Sequence, residues 1–274
     1  MYITEMDKFL ILGVCSYSKA VIRYLETLRK YYNGKIVLVL TDHEEKVDLL
    51  KNRYDVDCRF HQEPQKFWKH DKEGDGTYLC KQWKYVKQIS EEFKDYYILR
   101  TDVWDVIFQD NPADYINQFA DKCYISLEGI DNVKNRFQMS WYSNSPIFPL
   151  LATNEQLLNL PVINSGLLCC KSSLMATFAN EIVNNVYGTK LDQTELNISI
   201  ICKEYYNKSK EIQNFFSYSD GFLESTVYMM HVKGTVKNGF VMTKDTNNKW
   251  CVVHENSNPK TLIEQLYPLA NYKD

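Results

Sequence analysis

The chain has 274 residues, 45% hydrophobic and 24% charged, with 32 Lys and Arg against 35 Asp and Glu for a net charge of -3. This is ordinary globular usage with length for a sizeable core, which excludes global disorder; near-neutrality without a long Lys/Arg block argues against nucleic acid as a partner. No stretch approaches the roughly 18 apolar residues of a membrane span, and the start carries Glu5 and Asp7 where a signal peptide has basic residues, so a cytoplasmic location is expected.

Phe9 to Cys15 is a continuous apolar run, the form of a strand covered on both faces. Ser16 to Tyr32 then carries Val21, Tyr24, Leu25 and Leu28 at helical spacing, Lys35 to Leu40 is a second buried strand, and Glu44 to Tyr54 a second helix. Strand, helix, strand, helix predicts a parallel sheet with crossover helices, in the manner of a nucleotide-binding α/β unit. Val56 to His61 is a weaker third strand, followed by a polar loop ending in Gly74-Asp75-Gly76. From Leu79, apolar residues at 79, 83, 86, 89 and 93 mark an amphipathic helix whose other face holds Lys81, Lys84 and Lys87. Tyr96 to Leu99 is a short strand running into Arg100-Thr101-Asp102-Val103-Trp104-Asp105, so acids sit at the carboxyl end of a sheet strand.

Further on, Cys123 to Leu127 and Val162 to Leu168 read as strands, and Ser172 to Tyr187 and Asp192 to Tyr205 as helices. Short β-like runs from Thr226 to Val253, broken around Lys233-Gly234 and Asn247-Asn248, suggest C-terminal β-hairpins on the main sheet. The expected fold is therefore α/β, a mixed, mostly parallel central sheet with helices on both faces. With no separating linker, residues 1–274 are expected to form one domain, with a nucleotide-binding half over about 1–110 and an acceptor half over about 111–274. The eight cysteines contain no C-x-x-C pair and sit mostly in apolar runs, the pattern of small buried hydrophobes in a reducing compartment.

Ligands of open α/β sheets bind beyond the carboxyl ends of the strands. Asp102 and Asp105 lie there; three residues apart, they converge only if the chain turns, and then offer hard oxygen ligands to Mg²⁺ or Mn²⁺. On spacing alone they read equally as two solvated acids. Trp104 between them is either a base-stacking platform or a core residue. Asn164-Ser165-Gly166 after a buried run is either a simple turn or a loop whose glycine admits a ligand close to the backbone. Asp192 opens a helix, where Asp is a good N-cap, and Lys81 and Lys84 are either phosphate contacts or a solvated face.

Tyr97 to Gln109, with its spaced Asp-x-x-Asp, resembles the strand and acidic metal motif of GT-A-fold glycosyltransferases, and is similar to the glycosyltransferase domain of procollagen lysyl hydroxylases. Three further segments follow in that family's order: Pro161 to Gly166, Asp192-Gln193, and Val252 to Lys260 with its His254, Pro259 and Lys260; with the first strand they span roughly residues 9 to 260. The resemblance implies a GT-A-like fold and a metal-dependent transferase moving a hexosyl or pentosyl group from a nucleotide sugar, in the first place a UDP-sugar, to a hydroxyl of a glycan or glycoprotein acceptor. It implies that Asp102, Asp105 and His254 hold Mn²⁺ or Mg²⁺, that Trp104 stacks on the uracil, and that Lys260 meets the diphosphate. It also places Asp192 and Gln193 beside the transferred sugar as the catalytic pair, with Asn164, Ser165 and Gly166 in the donor loop. Donor contacts after strand one fall to Val14, Cys15 and Ser16, with Val103 beside Trp104 and with Thr41 and Asp42 at the end of strand two. The family's glycine-rich ending after the histidine is here Glu255-Asn256-Ser257-Asn258, a different phosphate clamp. His231 is a rival ligand, Glu128 a rival base, and retention or inversion stays open.

Two other readings remain. A sugar nucleotidyltransferase would carry a glycine-rich basic loop after strand one, where this chain has Val-Cys-Ser-Tyr-Ser-Lys. A non-catalytic carbohydrate-binding protein suits 20 Tyr and 5 Trp but leaves the acids and His254 unexplained.

Overall fold

In the computed structural model the described residues are 8–62, 77–116, 123–131, 139, 142–143, 145–149, 161–202, 216–217, 223–225, 234–243, 249–254 and 262–273. The first half alternates as the apolar pattern predicts: β1 (Phe9–Cys15), α1 (Lys19–Arg29), β2 (Lys35–Leu40), α2 (Val47–Tyr54), β3 (Asp57–Phe60), α3 (Thr77–Glu92) and β4 (Tyr97–Thr101). Ser18 caps α1, its hydroxyl accepting from Ala20 N at 3.2 Å. The predicted helix from Glu44 begins instead as a 3₁₀ turn over Glu44–Lys46, and Asp55 closes α2 in the left-handed region.

Then come β5 (Val106–Phe108), α4 (Pro112–Ile116), β6 (Cys123–Asp131), β7 (Pro161–Lys171), α5 (Ser172–Val183), α6 (Asp192–Cys202), β8 (Phe216–Ser217), β9 (Leu223–Ser225), β10 (Gly234–Lys237), β11 (Phe240–Thr243), β12 (Val252–His254) and α7 (Leu262–Leu266). Among the described residues the main sheet has the order β3-β2-β1-β4-β7-β6-β8. Only β7 runs against its neighbours, so the sheet is mixed and mostly parallel. One face packs on α1 and α2 through Val21, Tyr24, Leu25 and Leu50; the other packs on α3, α5 and α6 through Trp83, Val86, Phe178 and Leu196. Strands buried on both faces need apolar residues at every position, which is why β1 and β2 carry no alternation.

Several expectations are corrected. Asn164-Ser165-Gly166 is not a loop but lies inside β7, whose antiparallel course brings its first half, not its last, to the carboxyl end of β4. The helix from Ser172 stops at Val183, capped by Asn184, because Asn185 turns to positive φ. The hairpin of β10 and β11 turns at Asn238-Gly239, both at positive φ as a tight two-residue turn requires; Gly234 opens β10, and Lys233 lies outside the described residues. Asn247-Asn248, Gly74-Asp75-Gly76, His231 and the segment Glu255 to Lys260 lie outside the described residues, as does the side chain of Glu128. Among the described residues no helix is long and apolar enough to cross a membrane.

Candidate metal centre

After Thr101 the chain leaves the main sheet, turns through residues 102–105 and enters β5, which belongs to a second sheet ordered β5-β12-β9. That turn supplies the convergence that two acids three apart need. It is pinned from inside. Val103 is buried against Gly13, where a Cβ would come within 2.6 Å of Val103 Cγ2, so a glycine in β1 makes the room. Trp104 is fixed at both ends: its indole N–H donates to Ser16 O at 2.9 Å, and its carbonyl accepts from Arg23 Nη2 at 2.7 Å. Arg23, buried in α1, also reaches Glu264 Oε2 at 2.8 Å and Tyr267 O at 3.2 Å. The two acids thus flank a turn with little freedom to move.

His254 reaches the same point from the far end of the sequence. In the antiparallel pairing of β12 with β5 it stands opposite Val106, the residue after Asp105. Its Nε2 lies 3.4 Å from Asp105 Oδ1 and 3.5 Å from Asp102 Oδ2. Asp102, Asp105 and His254 offer ligand atoms all within 4.8 Å of one another. Two carboxylates and an imidazole suit Mn²⁺ or Mg²⁺, and the donor set fits such an ion.

The third wall is β7. Asp102 N donates to Gly166 O at 2.7 Å, extending the β4–β7 ladder one residue past Thr101. On its other side β7 bulges: Ile125 of β6 faces Leu168, yet the next residue, Ser126, faces Asn164, leaving residues 165–167 without partners on β6. The bulge is held by side chains, Gly166 N donating to Asn164 Oδ1 at 2.7 Å and Gln193 Oε1 accepting from Asn164 Nδ2 at 3.3 Å. A Cβ on Gly166 would lie 2.4 Å from His254 Cε1 and 2.7 Å from Asp102 Oδ2. The glycine is there for room, not for an unusual φ.

Behind the acids sits Arg100, which lies inside β4 rather than after it and to which the sequence alone gives no role. Its Nη1 is 2.9 Å from Asp102 Oδ1 and donates to Ser165 O, and its guanidinium lies 4.9 Å from the centre of the Trp83 ring. Trp83 Nε1 in turn donates to Asp192 Oδ2 at 3.1 Å, while Asp192 Oδ1 accepts from Gln193 N at 2.8 Å. Burial pushes the Asp192 carboxyl above its ordinary range, with Arg100 and the Trp83 bond pulling the other way. Asp192 is therefore a buried acid in the first turn of α6, not an exposed cap.

The remaining candidates are distributed unevenly. Tyr17 N donates to Asp42 Oδ1 at 2.6 Å and Thr41 N to Cys15 O at 3.0 Å, so the ends of β1 and β2 are tied together beside Trp104. Val14, Cys15 and Val103 are buried and their side chains belong to the core; burial also holds the Cys15 thiol well above its usual pKa. Lys81 and Lys84 flank Trp83 on α3, with Lys81 exposed and Lys84 Nζ 4.6 Å from the Tyr85 ring centre. Lys260 lies outside the described residues.

No protein-family profile matches the chain, and no curated protein matches it. Among solved structures it is similar to the core-mannan synthase A of Aspergillus fumigatus in its Mn/GDP form, at 10% identity and a TM-score of 0.36, with 69% of each chain covered. It is also similar to the glycosyltransferase GlyE of Streptococcus pneumoniae TIGR4, at 11% identity and a TM-score of 0.38, covering 78% of this chain and 46% of that one. The chain thus spans less than half the length of GlyE. Likenesses at this level decide neither family nor substrate.

The triad makes a pH prediction. Burial alone would lower the His254 pKa, but Asp105, through charge and hydrogen bond, and Asp102 outweigh it, so the pKa of the metal-free protein is raised. The sign follows. The bound proton contributes stability that is fully present below the unfolded pKa of about 6.5 and is lost as pH rises through the raised folded value. Over the same window the neutral imidazole becomes available to a cation. Mn²⁺ affinity is expected to fall on acidification, beginning above the usual histidine range, and binding there should release protons. Calorimetry in buffers of different ionisation enthalpy measures the release; none between about pH 6 and 8 would remove His254 from the ligand set.

Proposed function

We propose that the chain is a metal-dependent glycosyltransferase of GT-A type, taking a nucleotide sugar, in the first place a UDP-sugar, as donor and a carbohydrate or glycoprotein hydroxyl as acceptor. The observation that carries this reading is the meeting of Asp102, Asp105 and His254 at the carboxyl end of β4, between the tied ends of β1 and β2 and the glycine of the β7 bulge. A divalent ion there supplies Lewis-acid neutralisation of the nucleoside diphosphate leaving group. The protein's own part is to hold its ligands fixed in advance, so that charge developing on the departing oxygen meets an arranged field.

On this reading Ser16, Asp42 and the face of Trp104 receive the nucleoside, and Asn164, Ser165 and Gly166 line the passage from diphosphate to sugar. Asp192 and Gln193 stand on the sugar side. Each carboxylate oxygen of Asp192 already accepts one protein hydrogen bond and keeps a lone pair for a sugar hydroxyl. The buried Asp192 and its raised pKa support a functional group there, since an isolated stability argument would favour an apolar residue.

The test is incubation with a panel of nucleotide sugars and Mn²⁺, followed by release of nucleoside diphosphate. Slow hydrolysis of one donor, dependent on Mn²⁺, is the expected result; pyrophosphate release from a nucleoside triphosphate and sugar phosphate would show a nucleotidyltransferase instead. Trp104→Ala is expected to weaken UDP by roughly 1 to 3 kcal/mol, about 5- to 150-fold, through lost stacking. Calorimetry with UDP checks it, and unchanged affinity would return Trp104 to the core.

A further inference from the structure

Asp102 is shared between two directions. Its Oδ2 faces His254, while its Oδ1 lies against Arg100 Nη1 at 2.9 Å. The Arg100 side chain is only 4% exposed, its Nε has no hydrogen-bond partner, and its one ion pair among the described residues is with Asp102. Arg100 therefore sets a buried positive charge directly behind the Asp102 carboxylate. Any cation arriving at Oδ2 meets a carboxylate whose charge another cation already draws on. Asp105 brings a second carboxylate, and His254 brings no charge once it has given up its proton. A divalent ion therefore faces two ligand charges with one of them offset.

We propose that Arg100 makes this a site for a metal–diphosphate complex rather than for the bare cation: its hold on Asp102 keeps affinity for the free ion low until a nucleoside diphosphate supplies the missing negative charge. The inference rests on the metal and nucleotide reading above and adds the coupling between the two ligands. Two effects compete when the guanidinium is removed. Asp102 loses a partner that orients it, which weakens a metal site. The site also loses a buried positive charge next to the cation, which strengthens it, although the Asp102 side chain is 40% exposed and water screens part of that repulsion. The second effect wins here because Asp102 is also held through its backbone, N to Gly166 O, at the end of the β4 ladder.

The experiment follows free Mn²⁺ by electron paramagnetic resonance, with and without UDP, in the parent, Arg100→Gln and Arg100→Lys. In the parent, UDP should tighten Mn²⁺ by at least about 10-fold, within the usual range of coupling between sites. Arg100→Gln, which removes the charge, should bind Mn²⁺ alone about 10-fold more tightly than the parent, with the gain from UDP reduced in step. Arg100→Lys, which keeps the charge and loses the planar fork, should stay within about threefold of the parent. A residue that only supports the fold would not tighten metal binding when removed. Equal Mn²⁺ affinity with and without UDP in the parent overturns the proposal, as do Arg100→Gln binding Mn²⁺ no more tightly, both variants shifting alike, or Arg100→Gln failing to fold. Glycosyl transfer enters none of these arms. A protein that shows the coupling yet turns over no nucleotide sugar loses the transferase reading and keeps this one, whereas one that binds no Mn²⁺ in any arm loses the metal site itself.

Discussion

Gly166→Ala is expected to cost the protein most of its metal binding while leaving the sheet folded. The added methyl would lie 2.4 Å from His254 Cε1, 2.7 Å from Asp102 Oδ2 and 2.8 Å from Asn164 Oδ1, distances at which something must move. None of the three moves freely. His254 is paired on both sides, with Val106 of β5 and Ser225 of β9, Asp102 is held by Arg100, and Asn164 by Gln193. The cheapest relief is to push one ligand out of the triad, and even disturbing a group behind a ligand typically costs about 10- to 100-fold in metal affinity. Mn²⁺ titration beside a thermal melt separates the two outcomes. Parent-like affinity at parent-like stability would mean that the bulge has slack and Gly166 is not the floor of the site.

Asp105→Ala should cut deeper still. Of the two acids that raise the His254 pKa, Asp105 does so more strongly, and it lies 3.4 Å from that ring. Without it a cation keeps one shared carboxylate and one imidazole. If the ion supplies several kcal/mol to leaving-group departure, its loss is a fall of roughly 100-fold or more in turnover. UDP should then bind equally well with and without Mn²⁺, because the link between nucleotide and ion is gone. Calorimetry of UDP in the presence and absence of metal reads this directly, and a surviving metal dependence would place the ion elsewhere.

The parts of this arrangement that could be read in the sequence share one property: their signal is local. β1 and β2 are almost wholly apolar and β4 opens on an apolar run, α1 and α3 carry regular apolar faces, and the acids stand at a strand end. The parts missed depend on partners far along the chain. β5 is three residues long and exists because β12 pairs with it; nothing in Val-Ile-Phe announces a second sheet. The direction of β7 is not written in its composition, since a strand buried on both faces reads alike either way, and nothing in Asn-Ser-Gly tells a bulge within a strand from a loop. Arg100 did leave a trace, a lone charge among apolar neighbours on a face shared with the buried Ile98. Asn238-Gly239 carries its signal locally, an Asn-Gly pair between short β runs being a strong mark of a hairpin.

The route by which His254 enters has a consequence for how the protein is made. Asp102 and Asp105 emerge from the ribosome before His254, with the strands and helices around them able to condense on mostly local contacts. The third ligand arrives only much later, on a short strand that must insert between β5 and β9. Such long-range pairing is slow to form, because the loop must close before the contacts reward it. Assembly of the ion-binding pocket is thus expected to be the late event of folding, and an ion that binds only the finished pocket would pull that last docking step forward by mass action. A chain halted before residue 252 would hold the nucleotide-facing strands and still have nowhere to keep a metal.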